Sequence, residues 1–281
     1  MAEVGPCWAT DVPAHVREMV DAFTPVLALA PKEGVEVSRN LPYGKDPRQV
    51  VDIYRPTTAA GAPVLLFFHG GAFVDGQKDR SPEIYSNVLF YLARRGIVGL
   101  NVEYRLAPEH RYPSGTEDVH LAVTWARANA AGFGGDAHKV FLMGHSAGAA
   151  HTGSYAYTST NTVSGHIVVS GRVRAETWTG NPNASKVAAY YGSDPSVLER
   201  ASQVNLVHKG SPPTMIAVAE FENPFLDVHC AELYYRLAQL NGRAGAFLRL
   251  KGHNHTSIIA SMNTADERLG EEVVRFINDH R

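Results

Sequence analysis

The chain has 281 residues and 44% hydrophobic content, enough for one large α/β domain or two small ones around a substantial core. A formal charge of -2 leaves no basic excess, which argues against nucleic acid or an anionic membrane surface as partner and points to a small molecule. Cys7 and Cys230 are too few and too far apart for a disulfide framework or a CxxC metal pair, and with neither a signal-like start nor an apolar run of about 18 residues the expected location is cytoplasmic.

Residues 1–30 are expected to be helical in part, with Asp11 or Thr10 capping before Pro13 and with Val16, Met19, Val20 and Phe23 at helical spacing. This stretch precedes the first strand signal. It reads as an arm whose apolar side either covers the entrance to a site or packs on a core helix. Val35 to Leu41 and Val50 to Arg55 flank a Pro-Tyr-Gly-Lys-Asp-Pro turn and predict an antiparallel hairpin. Val64 to Phe68 and Ile97 to Val102 are continuous apolar runs of the kind buried on both faces, with a helical stretch from Glu83 to Arg95 between them, which makes a βαβ unit. A helix over Thr116 to Ala131 leads to a strand at Val140 to Met143. Further strands are expected at His166 to Val169, Thr214 to Ala219 and Ala246 to Leu250, with helices at Ala147 to Tyr157, Phe225 to Leu240 and Asp266 to His280. The sum is an α/β fold with eight strands, mostly parallel, and helices on both faces. No long linker, repeat or charge run divides it, so residues 1–281 read as one domain, with 1–30 and the Gly-, Pro-, Asn- and Ser-rich insertion 171–211 as candidate cap elements.

The strand at Val140 runs into Gly144-His145-Ser146-Ala147-Gly148 and then into small residues that suit a helix start. Glycines two before and two after Ser146 allow neighbouring elements to approach a sharp, strained turn, which would push the serine hydroxyl outward for attack. His69-Gly70-Gly71-Ala72-Phe73 follows the strand at Val64 and brings bare backbone N–H groups beside that turn. Gly71, Ala72 and Ala147 are the candidate donors for an oxyanion. A serine hydroxyl needs a histidine base oriented by a carboxylate, here sought in the chain order serine, acid, histidine. After the seventh strand, Glu220, Glu222 and Asp227 are candidates; Glu222 is favoured because Glu220 suits a loop anchor and Asp227 a first helical turn. After the eighth, His255 is favoured over His253 among thirteen histidines. His253 and His255 form an HxH pair, but no cluster of further ligands stands nearby, so no metal is expected. Phe73, Trp178 and Phe225, each in a loop or insertion at the carboxyl edge, are candidate pocket residues.

These residues resemble the α/β-hydrolases of the hormone-sensitive-lipase-like branch, which includes bacterial carboxylesterases and the related arylformamidases. The resemblance runs over most of the chain: His69 to Phe73 is similar to the branch's oxyanion motif, Tyr104-Arg-Leu-Ala-Pro108 with Tyr112-Pro113 and Asp118 to its buttressing loop, and Gly134-Gly-Asp136 and Gly144 to Gly148 complete the series. Aligning Ala219-Glu-Phe-Glu222 with the branch's Ala-Glu-x-Asp implies that Glu222 is the triad acid, and Asn254-His255-Thr256 falls where the branch places its catalytic histidine. The chain departs from the pattern in having Glu222 for the usual Asp, Thr256 for the common Phe and Ala72 for a third glycine. The resemblance implies a cofactor-free serine hydrolase of small carboxylic esters with a Ser146-His255-Glu222 triad and a small-molecule ester or amide as its partner; whether the chain forms a homodimer is left open by the sequence. The alternatives are an arylformamidase-like amide hydrolase using the same triad and, in another class, a non-catalytic small-molecule receptor on the hydrolase fold.

Overall fold

The computed structural model describes residues 4–160, 163–243 and 245–281. One sheet holds eight strands: β1 (Val35–Pro42), β2 (Val50–Pro56), β3 (Ala62–Phe68), β4 (Val98–Val102), β5 (Gly135–His145), β6 (Gly165–Val169), β7 (Thr214–Phe221) and β8 (Ala246–Asn254). Their spatial order is β1-β2-β4-β3-β5-β6-β7-β8. β1 and β2 form the expected antiparallel hairpin and β2 lies antiparallel to β4, whereas every neighbouring pair from β4 onward is parallel.

The continuous apolar runs have a direct cause. Successive side chains of a strand point to opposite faces, and both faces here are covered. Val64, Leu66 and Phe68 of β3 join Val140 and Leu142 of β5 in one core layer. Leu65 and Phe67 join Phe141 and Met143 in the other. Helices Ser114–Asn129, Ala147–Thr158 and Leu226–Asn241 supply the first layer, and helices Ser86–Ala93 and Arg268–Asp279 supply the second. The helix expected from Glu83 starts only at Ser86, because Tyr85 has φ of 79°, outside the right-handed helical region. β5 and β8 run longer than their apolar cores because pairing with β3 and β7 extends them beyond the hydrophobic stretch.

Helix Val12–Ala28 is capped by Asp11, whose side chain accepts from the Ala14 N–H at 3.0 Å, and it buries Met19 and Leu27. Segment 171–211 contains helices Ala184–Tyr191 and Pro195–Ala201, a short 3-10 turn at Gln203–Asn205 and no strand. Tyr190 ties it to the body: its carbonyl accepts from the Tyr112 N–H and its hydroxyl from the Gly115 N–H, each at 3.0 Å. Among the described residues no helix is long and apolar enough to cross a membrane.

Helix Ala147–Thr158 packs so tightly on the sheet that a Cβ at Gly148 would collide with the Phe68 carbonyl oxygen. Gly132, in contrast, has open space around its Cα. Gly148→Ala is therefore expected to lower the unfolding free energy by about 1–3 kcal/mol, as overpacking does, while Gly132→Ala stays within about 0.5 kcal/mol of the parent. Urea unfolding of the two variants side by side checks the pair.

Candidate active site

Ser146 joins β5 to helix Ala147–Thr158 with φ of 55° and ψ of -116°, a left-handed conformation that a residue with a side chain adopts only under constraint. The constraint is visible on both sides. Its N–H donates to the Val169 carbonyl at 3.1 Å, and its own carbonyl accepts from the Arg172 and Ala149 N–H groups at 3.0 and 3.2 Å. A Cβ at Gly144 would collide with Ala149, as one at Gly148 would with β3, so both glycines are required for the approach. Among the described residues the Ser146 hydroxyl has no hydrogen-bond partner, and it faces a cavity of about 400 Å³.

The loop after β3 lies against the same turn: a Cβ at Gly70 would stand 3.1 Å from the Ser146 Cβ. Gly71, Ala72 and Phe73 all have positive φ, at 145°, 51° and 75°, and a Cβ at Gly71 would collide with the Asp75 carbonyl. Among the described residues the N–H groups of Gly71, Ala72 and Ala147 find no acceptor. Gly71 and Ala72 line the cavity, and Ala147 opens the helix behind Ser146, where the first-turn N–H groups lack intrahelical partners. Such donors can hold an anionic oxygen.

The loop is fixed from behind. Tyr104 Oη donates to the His69 carbonyl at 2.7 Å, the two rings stack at 4.3 Å, and His69 Nε2 lies 3.0 Å from Glu103 Oε1. Burial pushes the Glu103 carboxyl upward, but His69, the Lys78 N–H and Arg48 together hold it below its ordinary value. One turn further, buried Asp118 accepts from Gln49, from the Arg105 N–H and from the Arg105 guanidinium, which places this acid in a buttress away from Ser146.

His255 arrives on the loop after β8. Its Nδ1 lies 2.6 Å from Glu222 Oε2, and since a carboxylate only accepts, Nδ1 carries the proton and Nε2 is left as an acceptor. Glu222 Oε1 is occupied by the Ala219 N–H at 2.8 Å and by the Ser170 hydroxyl. Its side chain is only 2% exposed. His255 lines the cavity that holds Ser146. Glu220 is turned away: its Oε2 accepts from the Gly252 N–H at 2.8 Å. Asp227 sits in the first turn of helix Leu226–Asn241, and His253 pairs with Asp266 at 2.9 Å.

Four contributors are not singled out by the sequence pattern. His145 Nε2 donates to the His255 carbonyl at 2.9 Å, and its Nδ1 faces Tyr85 Oη at 3.3 Å; that hydroxyl in turn accepts from the Gly70 N–H at 3.3 Å. A hydrogen-bonded chain thus links the loop after β3 to the loop carrying His255. Trp8, fully buried, donates from Nε1 to Asn223 Oδ1 at 3.0 Å and sets its ring 6.3 Å from that of His255. Ser170, with φ of 47°, holds Glu222. Only the GxSxG position of His145 offered any signal.

The candidate pocket aromatics are placed otherwise. Phe73 is buried face to face with Tyr190 at 4.8 Å, so it anchors segment 171–211 to the loop after β3 and does not line the cavity. Trp178 and Phe225 pack against each other with their rings tilted at 59° and 5.2 Å apart in a separate surface groove, 40% and 52% exposed. Phe225 stands at the N-terminal boundary of helix Leu226–Asn241 with φ of 62°. The cavity wall is built instead by Val12, Val16, Tyr85, Asn223 and Ile259, with charged groups at its rim.

The eight-stranded sheet with a serine on the strand-to-helix turn after β5 and a histidine on the loop after β8 has the architecture of the α/β-hydrolase fold. The BD-FAE family model matches residues 51–168. Esterase LipC of Mycobacterium tuberculosis is 46% identical over 114 residues, 39% of this chain and 27% of that protein. Carboxylesterase NlhH of the same species is 37% identical over 98 residues, 33% of this chain and 28% of that one. A solved structure described as a bacterial heroin esterase covers 97% of this chain and 93% of its own at 24% identity, with a TM-score of 0.77. The family match covers less than half of the chain, the whole chain shares the α/β-hydrolase fold of the solved structure, and the matched stretches span less than a third of the length of these curated relatives.

Burial holds the His145, His151 and His166 imidazoles neutral. His145 lies well below its ordinary value through burial and then the neighbouring His255, while His151 and His166 are pushed down to about 3, chiefly by burial. In the unfolded chain all three protonate near their ordinary value of 6.5. Between about pH 6.5 and 5 the unfolded state therefore binds more protons, and stability is lost as pH falls, by up to about 1.4 kcal/mol per pH unit for each histidine. Urea midpoints measured at about pH 7.5, 6 and 5 should fall steeply, and His166→Asn should reduce the proton uptake on unfolding by about one.

Proposed function

We propose that the chain is a serine carboxylesterase that cleaves small carboxylic esters through a covalent acyl-enzyme. The observation that carries this reading is the 2.6 Å contact of Glu222 with His255 Nδ1 on the wall of the cavity that holds Ser146. Glu222 keeps the Nδ1 proton in place, so Nε2 takes the Ser146 proton as Oγ attacks the ester carbonyl carbon. The carbonyl oxygen becomes an oxyanion held by the N–H groups of Gly71, Ala72 and Ala147, which need no rearrangement to receive it. His255 then gives its proton to the leaving oxygen, the C–O bond breaks and the alcohol departs. Water, deprotonated by His255, attacks the acyl-serine, and the second collapse returns the proton to Ser146 and releases the acid. The names of the relatives, esterase and carboxylesterase, support the reaction class.

In the same reading segments 1–30 and 171–211 are the cap: Val12, Val16 and Arg17 from the first, and Pro182, Asn183 and Lys186 from the second, line the cavity. The residues would act identically on an N-formyl amide, and a panel of acyl esters, aryl esters and N-formyl anilides separates the two substrates; formyl anilide rates far above every ester rate would replace the carboxylesterase reading. Turnover of neither class would leave a receptor on this fold.

Ser146→Ala is expected to abolish ester turnover while leaving the urea midpoint unchanged. Glu222→Gln keeps the size but removes the charge that stabilises the imidazolium, and kcat should drop by about 10³–10⁴. Asp227→Asn should stay within about twofold of the parent, because a solvated first-turn acid contributes little. Steady-state rates on a short-chain aryl ester check all three, and an active Ser146→Ala protein would refute the nucleophile.

A further inference from the structure

The cavity at Ser146 has a charge opposite to that of the chain. The chain carries a formal -2, yet the cavity is lined by Arg17, Arg80 and Lys186 against one carboxylate, Asp75. The three cations come from helix Val12–Ala28, from the segment ahead of helix Ser86–Ala93 and from helix Ala184–Tyr191. Among the described residues none of them lies within 4.0 Å of a carboxylate oxygen, whereas Arg48, Arg105 and Arg174 are all paired. Asp21 joins Asp75 only in the outer groove, where both face Arg17 and Arg80. Asp75 is itself exposed and accepts from the Gly76 N–H at 2.7 Å.

Arg80 is the half-buried member of the set and stands against the Tyr85 hydroxyl, the group that bridges Gly70 and His145. Its charge adds to burial and to His255 in keeping His145 neutral. A partly buried guanidinium whose polar partner here is the neutral Tyr85 hydroxyl lacks a counter-ion, and a carboxylate arriving with the substrate would supply one through charge-assisted hydrogen bonds. Exposed Arg17 and half-buried Lys186 extend the positive field to the cavity mouth, where it would raise the encounter rate of an anion. We propose that the substrate carries a carboxylate or comparable anionic group, seated among Arg80, Lys186 and Arg17 while its ester carbonyl lies at Ser146. This rests on the serine esterase reading and names its substrate class.

Matched ester pairs test it. In the acyl arm, the 4-nitrophenyl monoester of adipic acid is compared with 4-nitrophenyl hexanoate; in the leaving-group arm, 4-acetoxybenzoate is compared with 4-acetoxybenzamide. The anionic member should lead by about tenfold or more in kcat/KM in one arm, and the lead should shrink as salt screens the field. Arg80→Gln with Lys186→Gln should reduce the anionic-to-neutral ratio at least about fivefold by weakening charge-assisted recognition. If that double variant does not fold, exposed Arg17→Gln combined with Lys186→Gln should still lower the ratio. An anionic-to-neutral ratio at or below one in both arms, or one that the substitutions leave unmoved, overturns the inference. Absence of turnover on every member of both pairs overturns the esterase reading beneath it.

Discussion

The architecture depends on one close approach: helix Ala147–Thr158 lies so near the ends of β3 and β5 that only glycine fits at 144 and 148. That approach forces Ser146 into its left-handed conformation, and the backbone bonds to Val169, Arg172 and Ala149 keep it there. Strain of this kind, about 1–3 kcal/mol at one residue, persists only where surrounding packing overdetermines the backbone. The two interleaved core layers on either face of β3 supply that packing.

Around this fixed point the other candidate groups are held by parts of the chain far apart in sequence. The His255 ring is oriented by Glu222 and its backbone carbonyl is tied by His145, while Phe221 accepts from its N–H at 3.1 Å. Tyr85 links the same chain of hydrogen bonds to Gly70, so the loop beside Ser146 and the loop of His255 are positioned by one network. Trp8 closes the back of His255 from the N-terminal segment. A buried network whose members are satisfied rigidifies a site, because leaving any member unpaired costs more than its bond contributes.

Charge is distributed by the same rule. Deep carboxylates are saturated with donors: Glu103 by His69, Lys78 and Arg48, and Asp52 by Arg39, Lys78 and the Asn40 N–H. The cations at the cavity stand apart from this pattern, which is why they bear on the ligand and the paired ones on the fold.

Period and local chemistry made much of the molecule legible from its letters. The uninterrupted runs at β3 and β4 announce strands buried on both faces, the Pro-Tyr-Gly-Lys-Asp-Pro turn announces a hairpin, and the glycines around Ser146 announce a tight strand-to-helix turn. Those signals arise within a few residues and survive any tertiary context. Chain order also narrows the acid and the base to a few candidates. Loop position favours Glu222 over Glu220, but the letters do not show the partners that hold each carboxylate, which are tertiary: Gly252 engages Glu220, while Ser170 and Ala219 engage Glu222. Nor do the letters show that Phe73 serves as an anchor under Tyr190, or that Trp8 reaches Asn223 across 215 positions. Periodicity reports which face of an element is apolar, whereas the partner that covers that face is set by how distant elements pack, and that only the tertiary structure decides.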